Sequence, residues 1–218
     1  MFRSIFQKDS EPERPGRPTG KKQRFVPRHS SGWKVLLERL RAGEGLRVMD
    51  VGPTSPQNIT LLTGMGHSVY MADIVGDSLS GEFDLAAEEP GGEKRFDTEK
   101  YFAQESGFGS RLFDVVLLWA TLDYIPEALV EPLVERIYER TAPGAQVLAM
   151  FHAKNREENT HYCRYHLTET DAIEMQDLEA HPVQRILTNR SIEKLFSQFS
   201  NYRFFLAKDN LYEVLITR

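Results

Sequence analysis

Five residues carry the strongest chemical signal in this 218-residue sequence: Asp50, Gly52, Thr54, Ser55 and Asp73. The stretch RVMDVGPTSPQN, residues 47–58, reads as a short buried strand that ends at Gly52 and runs through a loop into a helix. Ser55 supplies the helix N-cap and Pro56 its first-turn proline. A strand, a tight loop and a helix start aim backbone N–H groups and the positive end of the helix dipole at one place, which suits a ligand rich in acceptors. Asp73 closes the next strand, HSVYMAD, about 20 residues further on, where a doubly wound fold places the carboxylate that accepts from ribose hydroxyls. The same aspartate also suits the start of a turn.

A second group, Asp123, Tyr124 and His152, falls just after two apolar strands, FDVVLLW and AQVLAMF. Ligands meet open α/β sheets at the carboxyl ends of strands, so these three are candidates for substrate contact or for a general base. Taken singly, each also suits a cap, a turn or the surface. A third group, His161, Cys163 and His166 in HYCRYH, invites a metal reading, but its spacing argues against one. On a strand His161 and Cys163 share a face while His166 points to the other, and no second ligand pair of standard spacing follows. No metal is expected here. The segment is read instead as one strand of a cap hairpin paired with PVQRILTN, residues 182–189.

The elements that position these groups follow from periodicity. Trp33, Leu36, Leu37 and Leu40 form the stripe of an amphipathic helix that Ser30 or Ser31 can cap. RLFDVVLLW is a near-continuous apolar run, the mark of a strand buried on both faces of a parallel sheet. PEALVEPLVERIYERT is a helix, and a Pro-Gly turn leads from it into the strand APGAQVLAMFH. Asn189 or Ser191 can cap a helix with Ile192, Leu195, Phe196 and Phe199 on one face. YRFFLAKDNLYEVLITR then closes the chain as an antiparallel hairpin, with Asp209 and Asn210 suited to a two-residue turn.

The order and motifs from Trp33 to Arg218 resemble the class I S-adenosylmethionine-dependent methyltransferases, especially the small-molecule type. The resemblance rests on VMDVG, GHSVYMAD, FDVVLLWATLDYI, TAPGAQVLAMF and the terminal hairpin. It implies an α/β, Rossmann-like, doubly wound seven-stranded sheet, mostly parallel, with an antiparallel C-terminal hairpin. It also implies S-adenosyl-L-methionine as cofactor and methyl transfer to a small-molecule acceptor. Asp50 and Gly52 would form the methionine end of the pocket, Asp73 would take the ribose hydroxyls, and Leu118, Trp119 and Ala120 would line the floor beside the sulfonium. Asp97 would meet the adenine amine at the end of a third strand, or else cap the helix TEKYFAQE. The sequence departs from the family at Thr54 and Pro56, where further glycines are usual. A glycine there lets backbone approach a ligand without a Cβ in the way. Thr54 narrows that approach, yet with Ser55 it offers hydroxyls to a carboxylate, so the loop reads as rebuilt for the same ligand.

Alternatives remain in view. A noncatalytic member of the fold, acting as a binding or interaction module, is the main one. A dehydrogenase is disfavoured by the absent G-x-G-x-x-G and by the hairpin. WATLDYI lacks the Asn/Asp-Pro-Pro-aromatic signature of related enzymes that methylate nucleobase or glutamine nitrogens.

Length and charge bound the rest. With 40% apolar residues the chain can bury one substantial core. Arg3, Lys8, Arg14, Arg17, Lys21, Lys22, Arg24 and Arg28 outweigh Asp9, Glu11 and Glu13 in the first 30 residues, while the whole chain carries −5. Residues 1–30 are therefore expected to be a disordered basic Pro/Gly-rich arm, and 31–218 one domain with a cap insertion at about 153–188. Residues 74–110 and that insertion would form a substrate lid. The acidic body argues against a nucleic-acid partner, which needs Lys and Arg to offset phosphate charge. The lone Cys163 and the lack of an apolar run of about 18 residues point to a soluble, cytoplasmic protein with no membrane partner. The sequence does not name the acceptor or the oligomeric state.

Overall fold

A computed structural model describes residues 25–85, 95–104, 109–154, 160–206 and 209–218. The chain enters as β1 (Phe25–His29) and turns into α1 (Ser31–Ala42). Ser30 caps α1, its hydroxyl accepting from the Trp33 N–H at 3.0 Å. Trp33, Leu36, Leu37 and Leu40 are buried as the stripe requires. Gly32 brings this helix onto the sheet, because a Cβ there would stand 2.5 Å from Leu148.

Next come β2 (Arg47–Asp50), α2 (Pro56–Gly64), β3 (Ser68–Met71) and α3 (Ile74–Leu79). Then follow β4 (Asp84–Leu85), β5 (Arg95–Phe96), α4 (Thr98–Gln104), β6 (Phe113–Trp119), α5 (Thr121–Tyr124) and α6 (Glu127–Glu139). The rest is β7 (Thr141–His152), β8 (Thr160–Leu167), β9 (Ala172–His181), α7 (Asn189–Leu195), β10 (Asn201–Phe205) and β11 (Leu211–Thr217).

The main sheet has the order β10-β11-β7-β6-β2-β3. Its four inner and edge strands β3, β2, β6 and β7 run parallel, β11 lies antiparallel beside β7, and β10 lies antiparallel beside β11. Val115 to Trp119 and Val147 to Phe151 are buried on both faces, which is why these strands read as continuous apolar runs.

Several expectations are corrected. The main sheet holds six strands among the described residues, where seven were expected. Arg95–Phe96, the segment expected to end as a third strand at Asp97, pairs only with β4 in a separate two-stranded ladder. Two residues are too few to continue the large sheet, and their aromatic member packs locally with Phe83 and Tyr101. The terminal strands are joined by residues 206–210 and not by a two-residue turn. Asp209 is instead drawn away to an ion pair with Arg28.

β8 pairs with β9 and not with 182–189, and β1 adds to β9, giving a second, antiparallel sheet of order β1-β9-β8. The end of the expected arm is thus a structural strand. Arg28 is buried: its Nε donates to Asp209 at 2.6 Å, Nη2 donates to the Leu211 carbonyl at 2.7 Å, and Nη1 meets Glu213. Glu213 in turn accepts from the Gly32 N–H at 2.6 Å. Removing one partner of such a buried pair leaves an uncompensated charge, at a cost of about 3–5 kcal/mol. The remainder of the arm, residues 1–24, lies outside the described residues. No helix among the described residues is long and apolar enough to cross a membrane.

Candidate active site

Asp50 ends β2 at the carboxyl edge of the sheet and is almost fully buried. Its Oδ2 accepts from the Asn58 amide at 2.8 Å and its Oδ1 from the Trp119 indole N–H at 2.6 Å. Two such donors favour the ionised form, yet burial outweighs them and pushes the Asp50 carboxyl up to about 6. Ser55 caps α2, accepting from the Asn58 N–H at 3.2 Å, and its hydroxyl also meets His166 Nδ1 at 2.9 Å. Thr54 is exposed beside it.

Asn58 fastens this loop to the second sheet. Its amide donates to the Tyr165 carbonyl at 3.0 Å and its oxygen accepts from the Leu167 N–H at 2.7 Å. Those groups belong to the edge of β8 that β9 leaves open, so one side chain supplies what a neighbouring strand would have supplied. With its second N–H on Asp50, the amide is used at both ends.

Leu118, Trp119 and Ala120 close β6 and are buried. Trp119 has φ 51°, a left-handed backbone that costs a non-glycine residue about 1–2 kcal/mol. Two contacts offset this. The hydrogen bond to the Asp50 carboxylate is of a class worth about 1.5–3 kcal/mol. The indole also stacks on Tyr165 with ring centroids 4.7 Å apart and planes 6° from parallel, worth about 0.5–1.5 kcal/mol. The outcome is an indole laid across Gly52: a Cβ on Gly52 would stand 3.0 Å from Trp119 Cδ1.

Asp73 sits at the end of β3, half-buried, and caps α3 by accepting from the Gly76 N–H at 3.1 Å. Burial raises its pKa, against the Gly76 N–H and the charges of Arg164 and His181. Asp97 accepts from the Lys100 N–H at 2.9 Å, the capping use of α4, next to Phe96 and Tyr101.

The structure brings Asp123, Tyr124 and His152 together. Asp123 is fully buried in α5, and its Oδ2 accepts from the His152 backbone N–H at 2.7 Å and meets His152 Nδ1 at 2.8 Å. An oxygen already accepting from a backbone amide puts the imidazole proton on Nδ1, leaving Nε2 as an acceptor. Burial raises the Asp123 pKa, and its hydrogen bonds to His152 oppose that. Its other oxygen, Oδ1, is buried with no hydrogen-bond partner among the described residues. Tyr124 packs edge-on to His152 at 5.6 Å and to Tyr162 of β8 at 5.1 Å. Burial, and next the charge of Asp73, holds the Tyr162 phenol well above its ordinary range.

The HYCRYH residues have protein partners. His166 stands between Ser55 and the Gln176 amide oxygen, 3.0 Å from Nε2. Cys163 lies 3.5 Å from Asp177, and burial pushes its thiol up to about 12. Among the described residues no group of His, Cys, Asp or Glu is arranged to hold a metal ion. The residues that sequence reasoning missed are Asn58, Tyr162 and Tyr165. Asn58 stands three residues after a capping serine, a position that signals only local structure. The tyrosines stand three residues apart, so on a regular strand they would face opposite sides, and nothing in that pattern says which sheet they cover.

A protein-family profile described as a methyltransferase domain matches residues 22–200. The chain belongs to the methyltransferase-domain family. Among solved structures, a protein of Pyrococcus horikoshii is similar at 12% identity and TM-score 0.50, covering 85% of this chain and 88% of its own. An S-adenosylmethionine-dependent methyltransferase of Mesorhizobium loti is similar at 12% identity and TM-score 0.47, over 86% and 98%. One of Methanosarcina mazei follows at 16% identity and TM-score 0.47, over 80% and 92%. The first of these likenesses bears on the fold. No curated protein matches the sequence.

The family implies S-adenosylmethionine, and the side-chain types of this methyltransferase domain suit it: carboxylates at Asp50 and Asp73, and a helix start at Ser55. The space does not. The open side of Gly52 faces an indole, Asp50 has a donor on each oxygen, and the Ser55 hydroxyl is engaged by His166. In this arrangement the methionine end of such a ligand does not fit. Two clefts, of about 790 and 800 Å³, lie elsewhere: one among Leu37, Pro56, Leu61 and Leu167, the other among Val26, Arg28, Phe205 and Asp209.

Proposed function

We propose that this protein transfers a methyl group from S-adenosylmethionine to a small-molecule acceptor whose nucleophile carries a proton, and that His152 removes that proton. One observation carries the reading: the His152 Nδ1–Asp123 Oδ2 contact of 2.8 Å at the carboxyl ends of β6 and β7. A buried carboxylate that fixes the imidazole tautomer leaves Nε2 ready to accept, and it stabilises the imidazolium formed when Nε2 takes a proton. Tyr124 packs edge-on against His152 with Tyr162 behind it, aromatic surroundings that suit an acceptor with an aromatic or flat apolar body. Asp73 is proposed for the ribose hydroxyls, because a strand-end carboxylate can take both at once. Asp97 is proposed only as a cap. A cytoplasmic location accords with the single, reduced, buried Cys163.

A second reading, a noncatalytic module, is favoured by one feature: the loop groups of Asp50, Ser55 and Asn58 are all engaged by protein. Titration with S-adenosylmethionine, S-adenosylhomocysteine and NAD, followed by a methyl-transfer screen of phenols, carboxylic acids and amines, separates the two. Binding of the adenosyl compounds and turnover that His152→Gln abolishes support the enzyme. Binding without turnover supports the module, and binding of NAD alone defeats both.

A further inference from the structure

We propose that the stacked pair Trp119–Tyr165 is a plug: it occupies the space beside Gly52 that the methionine end of an adenosyl cofactor needs, and the cofactor binds by displacing it. This rests on the methyltransferase reading above. The indole lies against Gly52, the one residue of the loop without a side chain to keep a ligand away. Its N–H donates to Asp50 Oδ1. That bond makes the indole a stand-in for a ligand's ammonium group, which would donate to the same oxygen. Asp50 would keep its Asn58 contact during the exchange, so the carboxylate never loses both partners.

Trp119 is also the one non-glycine residue with positive φ among the described residues. The closed position is therefore held by contacts against a backbone preference, and leaving it relieves strain. The proposal gives the indole a second arrangement away from Gly52, and a ligand that binds only that arrangement shifts the balance toward it. The apparent affinity is lowered by the fraction of molecules in which the plug stays in place. Tyr165 is the other half of the device. It lies on β8, whose carboxyl end is tied down independently: Leu167 to Asn58 and Gln57, and Thr168, just beyond the strand, to Trp33. The indole is accordingly the moving part, and the tyrosine the surface it rests on.

The test uses the full-length protein and S-adenosylhomocysteine. Trp119→Gly is chosen because glycine accepts a left-handed backbone at no steric cost, so the variant is expected to fold. It should bind at least tenfold more tightly than wild type, and Tyr165→Leu, which removes only the stacking surface, by a smaller factor. In a Trp33→Phe background Trp119 is the only tryptophan, and its emission should shift to the red as ligand displaces it from its buried stack. Binding with unchanged or blue-shifted emission, and no tightening in Trp119→Gly, would overturn the plug while leaving the methyltransferase reading intact. If neither wild type nor any variant binds the adenosyl compound at millimolar concentration, both readings fail.

Discussion

Two buried carboxylates stand at the carboxyl edge of the same sheet and are used in opposite ways. Asp50 has one neutral donor on each oxygen, Trp119 and Asn58; Asn58 is locked by further hydrogen bonds to β8, and the Trp119 indole rests on Tyr165. Asp123 takes both of its hydrogen bonds on one oxygen, from the backbone and ring of the single residue His152, and leaves the other oxygen without a partner among the described residues. A saturated group of this kind organises the fold, because any change leaves several polar atoms unpaired at once. An unsaturated one beside an imidazole keeps capacity for chemistry. The region the family uses for its cofactor is thus the closed one here, and the region proposed for the acceptor, though equally buried, is open only in that Asp123 keeps an unused oxygen.

The sharpest way to break this contrast is at the open side. His152→Gln should lower kcat about 10²–10⁴-fold, the range for loss of a general base, with little change in thermal midpoint. Asp123→Asn should give a smaller loss and move the limb of the pH–rate profile that reports the imidazole. If His152→Gln retains full turnover, Asp123 and His152 are a structural pair.

At the closed side the large effect should be on stability. Asn58→Ala removes the partner of the Leu167 N–H, of the Tyr165 carbonyl and of one Asp50 oxygen. At about 1–3 kcal/mol for each buried polar group left unpaired, offset by entering water, urea unfolding should show a loss of about 2–4 kcal/mol. A loss below 1 kcal/mol would mean that the second sheet is held by its apolar contacts alone.

The same side makes a pH prediction with a definite sign. Burial places the folded-state Asp50 carboxyl at about 6, above its ordinary 3.8. The folded protein therefore binds the proton more tightly than the unfolded chain does. The stability this contributes is fully present below about pH 4 and is lost as pH rises through about 6, a change of about 1–3 kcal/mol. Asp73, Asp77 and Asp123 are also raised and add in the same direction. Unfolding free energies at pH 4.5 and 7 should differ less in Asp50→Asn than in wild type; an unchanged difference would assign the pH dependence to the other carboxylates.

The smallest effect sharpens the assignment of the ribose end. Asp73→Ala should weaken S-adenosylhomocysteine binding about tenfold to hundredfold, the loss expected for a charged acceptor worth about 1.5–3 kcal/mol. The variant should still fold, since the capping bond to Gly76 is exposed. Calorimetric titration reads the difference, and equal affinity would leave Asp73 as the helix cap alone.

Local rules made much of this protein legible from its residues. The Trp33 stripe with its Ser30 cap, the Ser55-Pro56 helix start and the continuous runs of β6 and β7 follow from periodicity and capping, which depend only on near neighbours. The grouping of Asp123, Tyr124 and His152 was legible too, because strands of one parallel sheet end on the same side. What lay beyond those rules was pairing between distant segments. HYCRYH could take any partner with an open edge, and it found β9 on one side and the Asn58 amide on the other, a match set by shape and hydrogen bonding across the fold. The basic arm looked free because its composition is poor in apolar residues, yet Arg28 is held by Glu213 and Asp209, carboxylates more than 180 positions away. The sequence by itself determined which residues stand at the carboxyl edge of the sheet. Only the tertiary structure decided that Trp119 turns back over Gly52, because a left-handed tryptophan is unfavourable locally and persists only where Asp50 and Tyr165 together outweigh its strain.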